Sequence, residues 1–295
     1  MSARAKSSDR RAAGGRSGSA TRRPPVGELV VDGDRMSGRR PPGRWSVVEH
    51  QFSFARAYWR SVLITGVLTP LLYVVALGIG LGTLVNRHGH IDGVPYLVYV
   101  APAFLVAAAL QTAAGESSWP IMAGFKWIRT FHGMAATPLT PTQIADGMAL
   151  WLSARLFVNA TLYLGIMSTF GAAQQWQIVF VVPAATFAGV AFAAPVMALA
   201  ATVPSESQAF NMLFRFVVTP MFLFSGTFYP ISKLPEWGQW LAHVSPMWHG
   251  IELARDAAIG GLPLSTVLEH IGYLLVWLVV GVVLTRWRFR VKLEK

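Results

Sequence analysis

A long apolar run without a single charged side chain, at residues 61–85, most constrains what this chain can fold into. A helix needs about 20 residues to cross the hydrocarbon core of a bilayer, and its backbone polar groups must be satisfied within the segment itself. Further apolar segments of similar length follow. Since 53% of the residues are hydrophobic and 13% are charged, against about 25% charged in soluble domains, the sequence predicts an all-α membrane protein.

The apolar segments predict six transmembrane helices and a re-entrant helical hairpin between the fifth and sixth spans. The hairpin is predicted in residues 234–261, where Pro246 divides an apolar-leaning run into two pieces of about ten residues, each too short to cross a bilayer. The spans and the helix before them form one transmembrane domain, residues 45–290. The six spans lie at about residues 61–85, 96–118, 144–170, 178–203, 210–229 and 264–285.

Two basic tails flank this domain. Residues 1–44 are rich in Arg, Ser, Gly and Pro and bury too little apolar surface to offset the entropy of ordering, so they predict a disordered tail. Thirteen of the 25 Lys and Arg residues precede residue 61, and five more lie in the second tail, residues 286–295. This distribution predicts that both termini are cytoplasmic in a cell-membrane protein. The net charge of +11 therefore indicates contact with anionic membrane lipids and no nucleic acid as a partner.

Residues 45–60 predict an N-terminal amphipathic helix that lies in the membrane interface. Aromatic and aliphatic side chains recur on one side at helical spacing, and polar or charged side chains on the other. The alternative is a soluble amphipathic helix packed on a domain. The apolar side holds Trp45, Val48, Phe52, Ala55 and Trp59, and the polar side holds Glu49, Ser53, Arg56 and Arg60.

The link between the second and third spans, residues 119–142, predicts a short helix parallel to the membrane that docks on a soluble partner. It contains the aromatic residues Trp127 and Phe131 among cations, and it ends in the motif Thr137-Pro-Leu-Thr-Pro141. The alternative is a plain connector. A plain connector would not need so many large apolar side chains exposed to the cytosol, so the docking interpretation is favoured.

Arg155 and Glu116 are two of the charged residues that lie within or at the end of predicted spans. Arg155 falls inside the third span, where a charge either marks a pathway or extends its long side chain to the headgroups. Glu116 lies at the inner end of the second span. We expect it to pair with Lys126 or Arg129, and the alternative is a gate or a proton-linked group.

No enzyme constellation is found in the sequence, so no catalytic residue is expected. The chain has no cysteine, no Gly-x-x-x-x-Gly-Lys-Ser/Thr nucleotide loop and no Gly-x-Ser-x-Gly elbow. A metal motif of His88, His90 and Asp92 is more often solvated than occupied, so no metal is expected. Glu252, Arg255 and Asp256 are close enough to pair at helical spacing. A membrane enzyme would have to use His243, His249, Glu252 and Asp256.

Four motifs occur in order along residues 45–290. They are Thr69-Pro-Leu-Leu-Tyr73 with Gly78-Ile-Gly-Leu-Gly82, Ala136-Thr-Pro-Leu-Thr-Pro-Thr-Gln-Ile144, Thr219-Pro-Met-Phe-Leu-Phe-Ser-Gly-Thr-Phe-Tyr-Pro230 with Leu234-Pro235, and Ser245-Pro-Met-Trp-His-Gly-Ile-Glu-Leu-Ala-Arg255. With these motifs the chain resembles the membrane subunits of ABC-2-type exporters. More narrowly, it resembles NodJ-type permeases, implicated in export of lipo-oligosaccharide, with the daunorubicin-exporter permeases as cousins.

The resemblance implies a permease that exports an amphiphile, namely a glycolipid, a lipo-oligosaccharide or a hydrophobic drug. Two permease subunits, expected to be a homodimer, would form the pore above two ATPase subunits. Those ATPases would bind ATP and Mg, so this chain itself would hold no cofactor. The expected ATPase-docking residues are Glu49, Arg56, Phe125, Lys126, Trp127, Arg129 and Phe131. The expected translocation-path or outer-gate residues are Phe222, Phe224, Phe228, Tyr229, Pro230, Pro235 and Trp248.

A secondary transporter driven by an ion gradient is the alternative function. Such proteins usually show two repeated halves and intramembrane carboxylates near the bilayer midplane. The predicted spans 1–3 and 4–6 show no such repeat, and the spans lack a central Asp or Glu. Co-purification with an ATPase would separate the two functions.

Overall fold

The computed structural model describes residues 43–57, 60, 68, 71–87, 93–172, 175–204, 208–261 and 263–294, and no β-strand forms among them. The all-α prediction is therefore confirmed for this part of the chain. Residues 1–42, most of the first half of predicted span 1, and the metal motif at residues 88–92 lie outside the described residues.

Eleven α-helices, numbered in chain order, account for most of the described residues. Two π-helical segments, Val74–Leu81 and Phe214–Val218, precede α2 and α8, and a 3-10 turn, Trp176–Phe180, leads into α6. A second 3-10 turn, Ile231–Lys233, precedes α9. The α-helices are α1 (Gly43–Ala57), α2 (Gly82–Arg87), α3 (Tyr96–Lys126), α4 (Thr130–Ala135), α5 (Pro141–Thr169), α6 (Val181–Thr202), α7 (Ala209–Leu213), α8 (Thr219–Phe224), α9 (Glu236–Val244), α10 (Pro246–Ile259) and α11 (Leu264–Leu293).

Four helical stretches in the described part of the chain are long and apolar enough to cross a membrane. They coincide with predicted spans 2, 3, 4 and 6 and are Tyr96–Lys126, Pro141–Thr169, Trp176–Thr202 and Leu264–Leu293. Predicted span 5 is a shorter apolar helix, Ala209–Phe224, that stops before residue 229. The count of six spans stays a prediction, since span 1 is only partly described.

Helices α3 and α6 form the centre of the fold because small residues let their neighbours approach closely. Ala185, Ala188 and Ala191 of α6 are fully buried, and small residues of this kind allow close helix contact within membranes. At Gly281 of α11, an added Cβ would lie 2.5 Å from the Pro195 ring of α6. Helix α11 therefore lies directly against the α6 backbone.

A capping box starts α5. The Thr140 hydroxyl accepts from the Gln143 backbone N–H, while the Gln143 side chain accepts from the Thr140 backbone N–H, and Pro141 occupies the first turn. This arrangement satisfies two N–H groups that a helix start otherwise leaves unpaired. The motif Thr137-Pro-Leu-Thr-Pro141 thus fixes where the third span begins.

Helix α1 packs along α5 through a single buried valine. Val47 is 1% exposed, and an added Cβ at Gly147 would lie 2.6 Å from the Val47 Cβ. The aromatic side chains of Trp45, Phe52 and Phe54 remain exposed. A helix is thus present close to the predicted residues 45–60, and its position in a membrane interface stays a prediction.

We predict that Gly281→Ala destabilises the protein by about 1–3 kcal/mol, because the added methyl group overpacks the α6–α11 contact. Thermal unfolding of the purified protein in detergent measures the change. Gly272→Ala is the matched control, since Gly272 lies on the same helix with no atom near its added Cβ. Equal melting temperatures for the two variants would contradict the close approach.

Candidate functional site

The helix that ends at the candidate site is broken near its middle. Phe214–Val218 is π-helical, and both the backbone N–H and the hydroxyl of Thr219 donate to the Phe214 carbonyl, the hydroxyl at 2.8 Å. Pro220 follows and has no N–H to continue the ladder. Such π-turns interrupt the regular ladder and are often found at functional sites.

A buried, non-helical turn follows α8 at residues 225–230. Ser225 and Thr227 are fully buried, and Gly226 has a φ of +76°, a conformation that favours glycine. The Ser225 hydroxyl lies 2.8 Å from the Ser245 hydroxyl at the start of α10. Irregular backbone of this kind is tolerated at membrane depth only where protein covers it or a cavity adjoins it.

Arg255 of α10 fastens the buried turn to the rest of the fold. One guanidinium nitrogen donates to Glu252 at 2.6 Å, and another donates to the Gly226 carbonyl at 2.8 Å. The guanidinium carbon lies 4.0 Å from the centre of the Tyr99 ring of α3. The predicted pairing of Arg255 with Glu252 is confirmed. The carboxylate and the ring together compensate the buried cation.

An aromatic cluster lies beside the turn. The rings of Phe104, Phe222 and Phe228 meet edge to face with centroids 5.2 to 5.9 Å apart, and the Tyr73 ring lies 5.0 Å from Phe104. The Tyr96 hydroxyl contacts the Phe228 carbonyl at 3.5 Å. Apolar surface from α3, α8 and the turn therefore meets at one place.

The other predicted path residues are spread around this cluster. Phe224 contacts Trp237 of α9, with ring centroids 5.5 Å apart. The Tyr229 hydroxyl donates to the Leu223 carbonyl, and Pro230 and Pro235 precede the 3-10 turn and α9. The structure thus brings Phe222 and Phe228 together, whereas Trp248 belongs to a separate group.

The predicted hairpin consists of α9 and α10. Pro246 divides it as expected, with Ser245 capping α10 by accepting from the Met247 backbone N–H. Gly250 lets α10 approach α6, since an added Cβ would lie 2.5 Å from the Ala188 Cβ. Neither helix is long enough to cross a membrane, and re-entry into the membrane stays a prediction.

Trp248 lies in a group of histidines that joins α9, α10 and α11. His249 Nδ1 lies 2.8 Å from His270 Nδ1, and His249 Nε2 lies 2.9 Å from the His243 carbonyl. The Tyr273 ring stacks on His249 at 3.9 Å. His249 Nε2–H must then donate to the carbonyl, so its Nδ1 accepts from His270 Nδ1–H. Burial lowers the pKa of His249 to about 4, so its imidazole is neutral.

A sharp corner ends α3 on the side of the candidate docking link. Arg129 has a φ of 57° and is the only described non-glycine residue with positive φ, a conformation that is uncommon for such residues. Helix α4 then packs back so that Phe131 lies 4.8 Å from Phe125 and 5.5 Å from Phe289 of α11, measured between ring centroids. Trp127 projects from the corner, 59% exposed.

The predicted docking residues lie at different depths, and their docking role stays a prediction. Phe125 and Phe131 are 2% exposed, because the turn at Arg129 folds them into the protein. Exposed apolar surface is instead supplied by Trp127 and by Ile128, which is 71% exposed. Lys126 is half-buried, whereas Glu49, Arg56 and Arg129 are exposed. The predicted connector is also shorter, since α3 continues to Lys126.

The expected partner of Glu116 is also corrected. Its carboxylate accepts from Arg155 Nη1 at 2.9 Å, and not from Lys126 or Arg129. Glu116 lies on α3 and Arg155 on α5. The sequence of each span alone does not show that these two side chains meet. A second pair joins Arg286 of α11 to both carboxylate oxygens of Asp146 at 2.7 and 2.9 Å.

Several site residues carry no signal in the sequence. Tyr99, Phe104, His270 and Tyr273 lie in apolar helices, and only the tertiary fold brings them to the site. The described residues contain no group of three His, Cys, Asp or Glu side chains that could hold a metal ion.

Comparison with known proteins gives a family match and a set of relatives. Residues 46–259 match the family model described as ABC-2 type transporter. The chain is 30% identical to nodulation protein J of Rhizobium leguminosarum bv. viciae over 227 residues, which cover 75% of this chain and 85% of the relative. It is 29% identical to nodulation protein J of Sinorhizobium fredii over 242 residues, which cover 81% of this chain and 89% of the relative.

A more distant relative is the inner membrane transport permease YadH of Escherichia coli. It is 24% identical over 237 residues, which cover 80% of this chain and 88% of the relative. The region that matches the family model, residues 46–259, includes the broken helix, the buried turn and the α9–α10 hairpin.

We predict that Arg255→Met lowers the free energy of unfolding by about 2 kcal/mol, because it leaves the half-buried Glu252 carboxylate without its cation. Thermal unfolding in detergent measures the loss. Arg288→Met is the matched control, since Arg288 also lies over an aromatic ring, 4.2 Å from the Trp287 centroid. A loss no larger than that of the control would show that Arg255 does not fasten the turn.

We also predict that acid destabilises the α9–α10 hairpin through His249. An unfolded His249 binds a proton below about pH 6.5, whereas the folded state holds it neutral down to about pH 4. The stabilisation is therefore complete above pH 6.5 and is lost as the pH falls toward 4. Hydrogen exchange of residues 236–259 at pH 7.5 and pH 5 measures it.

His249→Phe should remove most of this difference between the two pH values. His50→Phe, at an exposed position of α1, should leave it in place. An unchanged pH difference in His249→Phe would show that another group is responsible.

Proposed function

The chain belongs to the ABC-2 type transporter family, and we propose that it is the membrane-spanning subunit of an ATP-driven exporter. The proposed substrate is an amphiphile, such as a glycolipid, a lipo-oligosaccharide or a hydrophobic drug, that leaves the cytoplasm or the inner leaflet. The observation that carries the proposal is the family match over residues 46–259, within which the broken helix, buried turn and hairpin all lie.

The proposed topology has six spans with both termini in the cytoplasm. Four described spans, the shorter apolar helix Ala209–Phe224 and the charge-free run at residues 61–85 supply the six. The basic residues concentrated before residue 61 and after residue 285 favour a cytoplasmic location for both ends. In this arrangement the Trp127 corner faces the cytoplasm, and the α9–α10 hairpin lies on the outer side and re-enters the membrane.

ATP hydrolysis is assigned to a separate subunit. The sequence has no Gly-x-x-x-x-Gly-Lys-Ser/Thr loop that could cradle nucleotide phosphates, and the family implies an ABC ATPase partner. We place the docking surface on exposed Trp127 and Ile128, together with the exposed Glu49 and Arg56 of α1. Phe125 and Phe131 support this surface from below by packing on Phe289.

Movement of the docked ATPases would reach the spans through two packed contacts. The Phe125–Phe131–Phe289 cluster joins the corner to α11, and Val47 joins α1 to α5 at Gly147. Closure of two ATPases upon binding ATP and Mg would shift these contacts in both copies of a permease homodimer. A ligand that binds one arrangement more tightly than the other biases such a rigid-body switch.

An amphiphilic substrate is proposed because the candidate path is largely apolar and aromatic. The rings of Phe104, Phe222 and Phe228 meet beside the buried turn. Arg255 donates to Glu252 and to the Gly226 carbonyl and lies over the Tyr99 ring, so its charge is balanced within the protein. Aromatic faces of this kind suit acyl chains and the apolar faces of sugars.

We predict that Trp127→Ala weakens ATPase binding about 30-fold, the effect expected for an exposed aromatic anchor at the centre of an interface. The tagged chain is purified from its native membranes in mild detergent, and hydrolysis of Mg·ATP by the eluate is measured. Trp176→Ala is the matched control, since Trp176 is 74% exposed. It lies in the 3-10 turn before α6, which follows the C-terminal end of α5.

Loss of hydrolysis in Trp127→Ala but not in Trp176→Ala would support the docking surface. If the unchanged chain carries no ATPase, the ATP-driven proposal is wrong, and transport driven by an ion gradient becomes the better account. If both variants keep the ATPase, docking lies elsewhere on the chain.

A further inference from the structure

A cavity lies away from the aromatic cluster, between α1, α3, α5 and α6. Its volume is about 300 Å³. Three of its lining residues are polar, namely Gln51 of α1, Glu116 of α3 and Arg155 of α5. The remaining wall is apolar and includes Phe54, Ile121, Trp151 and Leu152. The lining therefore combines three polar side chains, together called the polar corner, with an apolar body.

The polar corner has unused hydrogen-bonding capacity. Arg155 and Glu116 share one contact of 2.9 Å, and Arg155 Nε is buried without an acceptor among the described residues. The Gln51 amide donates to the thioether sulfur of Met148 at 2.9 Å, and thioether sulfur is a weak acceptor. By contrast, the Arg286–Asp146 pair uses both carboxylate oxygens.

The charges of this corner select among possible ligands. The guanidinium attracts an anion and suits phosphate oxygens, but the adjacent Glu116 carboxylate repels one. A ligand that carries only a positive charge is attracted by Glu116 but repelled by Arg155. A zwitterion with a phosphodiester and a primary ammonium satisfies both, because the phosphate meets Arg155 and the ammonium donates to Glu116 and to the Gln51 carbonyl.

We propose that this cavity binds a phospholipid whose headgroup carries a phosphodiester and a primary ammonium, of the phosphatidylethanolamine class. The apolar wall takes the upper part of the acyl chains, and the exposed Phe54 of α1 flanks the place where they leave the cavity. A quaternary ammonium has no N–H to donate, so a choline headgroup fits less well. The lipid would join α1 to α3 and α5. This site is separate from the aromatic cluster and does not depend on the transported substrate.

Native mass spectrometry of the delipidated full chain in detergent tests the proposal. Dioleoyl phosphatidylethanolamine, phosphatidylcholine and phosphatidylglycerol are added separately, and the bound fraction is measured for each. The site predicts that the ethanolamine lipid binds about tenfold more tightly than the other two lipids, which corresponds to the free energy of one charge-assisted hydrogen bond. Equal binding of the three lipids would overturn the proposal. Equally tight binding of water-soluble glycerophosphoethanolamine would overturn the assignment to a lipid.

Variants locate the site. Glu116→Gln should remove the preference for ethanolamine over choline, and Arg155→Gln should weaken binding of both about tenfold. Asp146→Asn is the matched control, because it disturbs an ion pair between α5 and α11 that does not line the cavity, and it should leave both measurements unchanged. An ethanolamine preference that persists in Glu116→Gln would place the lipid elsewhere.

A space-filling variant tests the same site without touching the ion pair. Ala55 lines the cavity from α1, so Ala55→Phe should displace the ethanolamine lipid. Ala57→Phe, at an exposed position two residues further along α1, is its matched control and should bind the lipid normally. Undiminished binding in Ala55→Phe would overturn the proposal even if the ion-pair variants fail to fold.

Discussion

The guanidinium of Arg255 is the interaction on which the candidate transport site depends. It binds the carbonyl of Gly226 in a turn that is neither helical nor exposed, while Glu252 and the Tyr99 ring compensate its charge. A turn inside a membrane protein has no water to satisfy its carbonyls. Arg255 therefore allows the chain to leave α8, reverse and form the α9–α10 hairpin beside the aromatic cluster.

The opposite side of the protein is organised by a different constraint, the corner at Arg129. Its positive φ turns the chain back on itself, which buries Phe125 and Phe131 against α11 and leaves Trp127 and Ile128 exposed. Burial and exposure in one short segment have distinct uses. The buried rings of Phe125 and Phe131 connect the corner to the last span. The exposed side chains of Trp127 and Ile128 supply a surface that a partner can contact.

Much of the fold follows from the sequence, because length and apolar content decide whether a segment can cross a bilayer. Pro246 likewise marks the break between α9 and α10 as predicted, whereas α5 begins at Pro141, three residues before the predicted start of the third span. Contacts between helices were not predictable in the same way. Glu116 pairs with Arg155 rather than with Lys126 or Arg129, which are nearer in sequence. The side chains of Phe125 and Phe131 turn inward. Helical periodicity in one segment says nothing about the neighbour it meets.

The most direct test of ATP-driven switching is a distance measured by electron paramagnetic resonance across the proposed permease dimer. The chain has no cysteine, so Glu236→Cys gives one spin label per subunit at the start of α9. If ATP binding to the partner subunits moves the spans, the distance between the two labels should shift when the complex is trapped with Mg·ATP and vanadate. Identical distances with and without trapped nucleotide would contradict coupling between the ATPases and the hairpin.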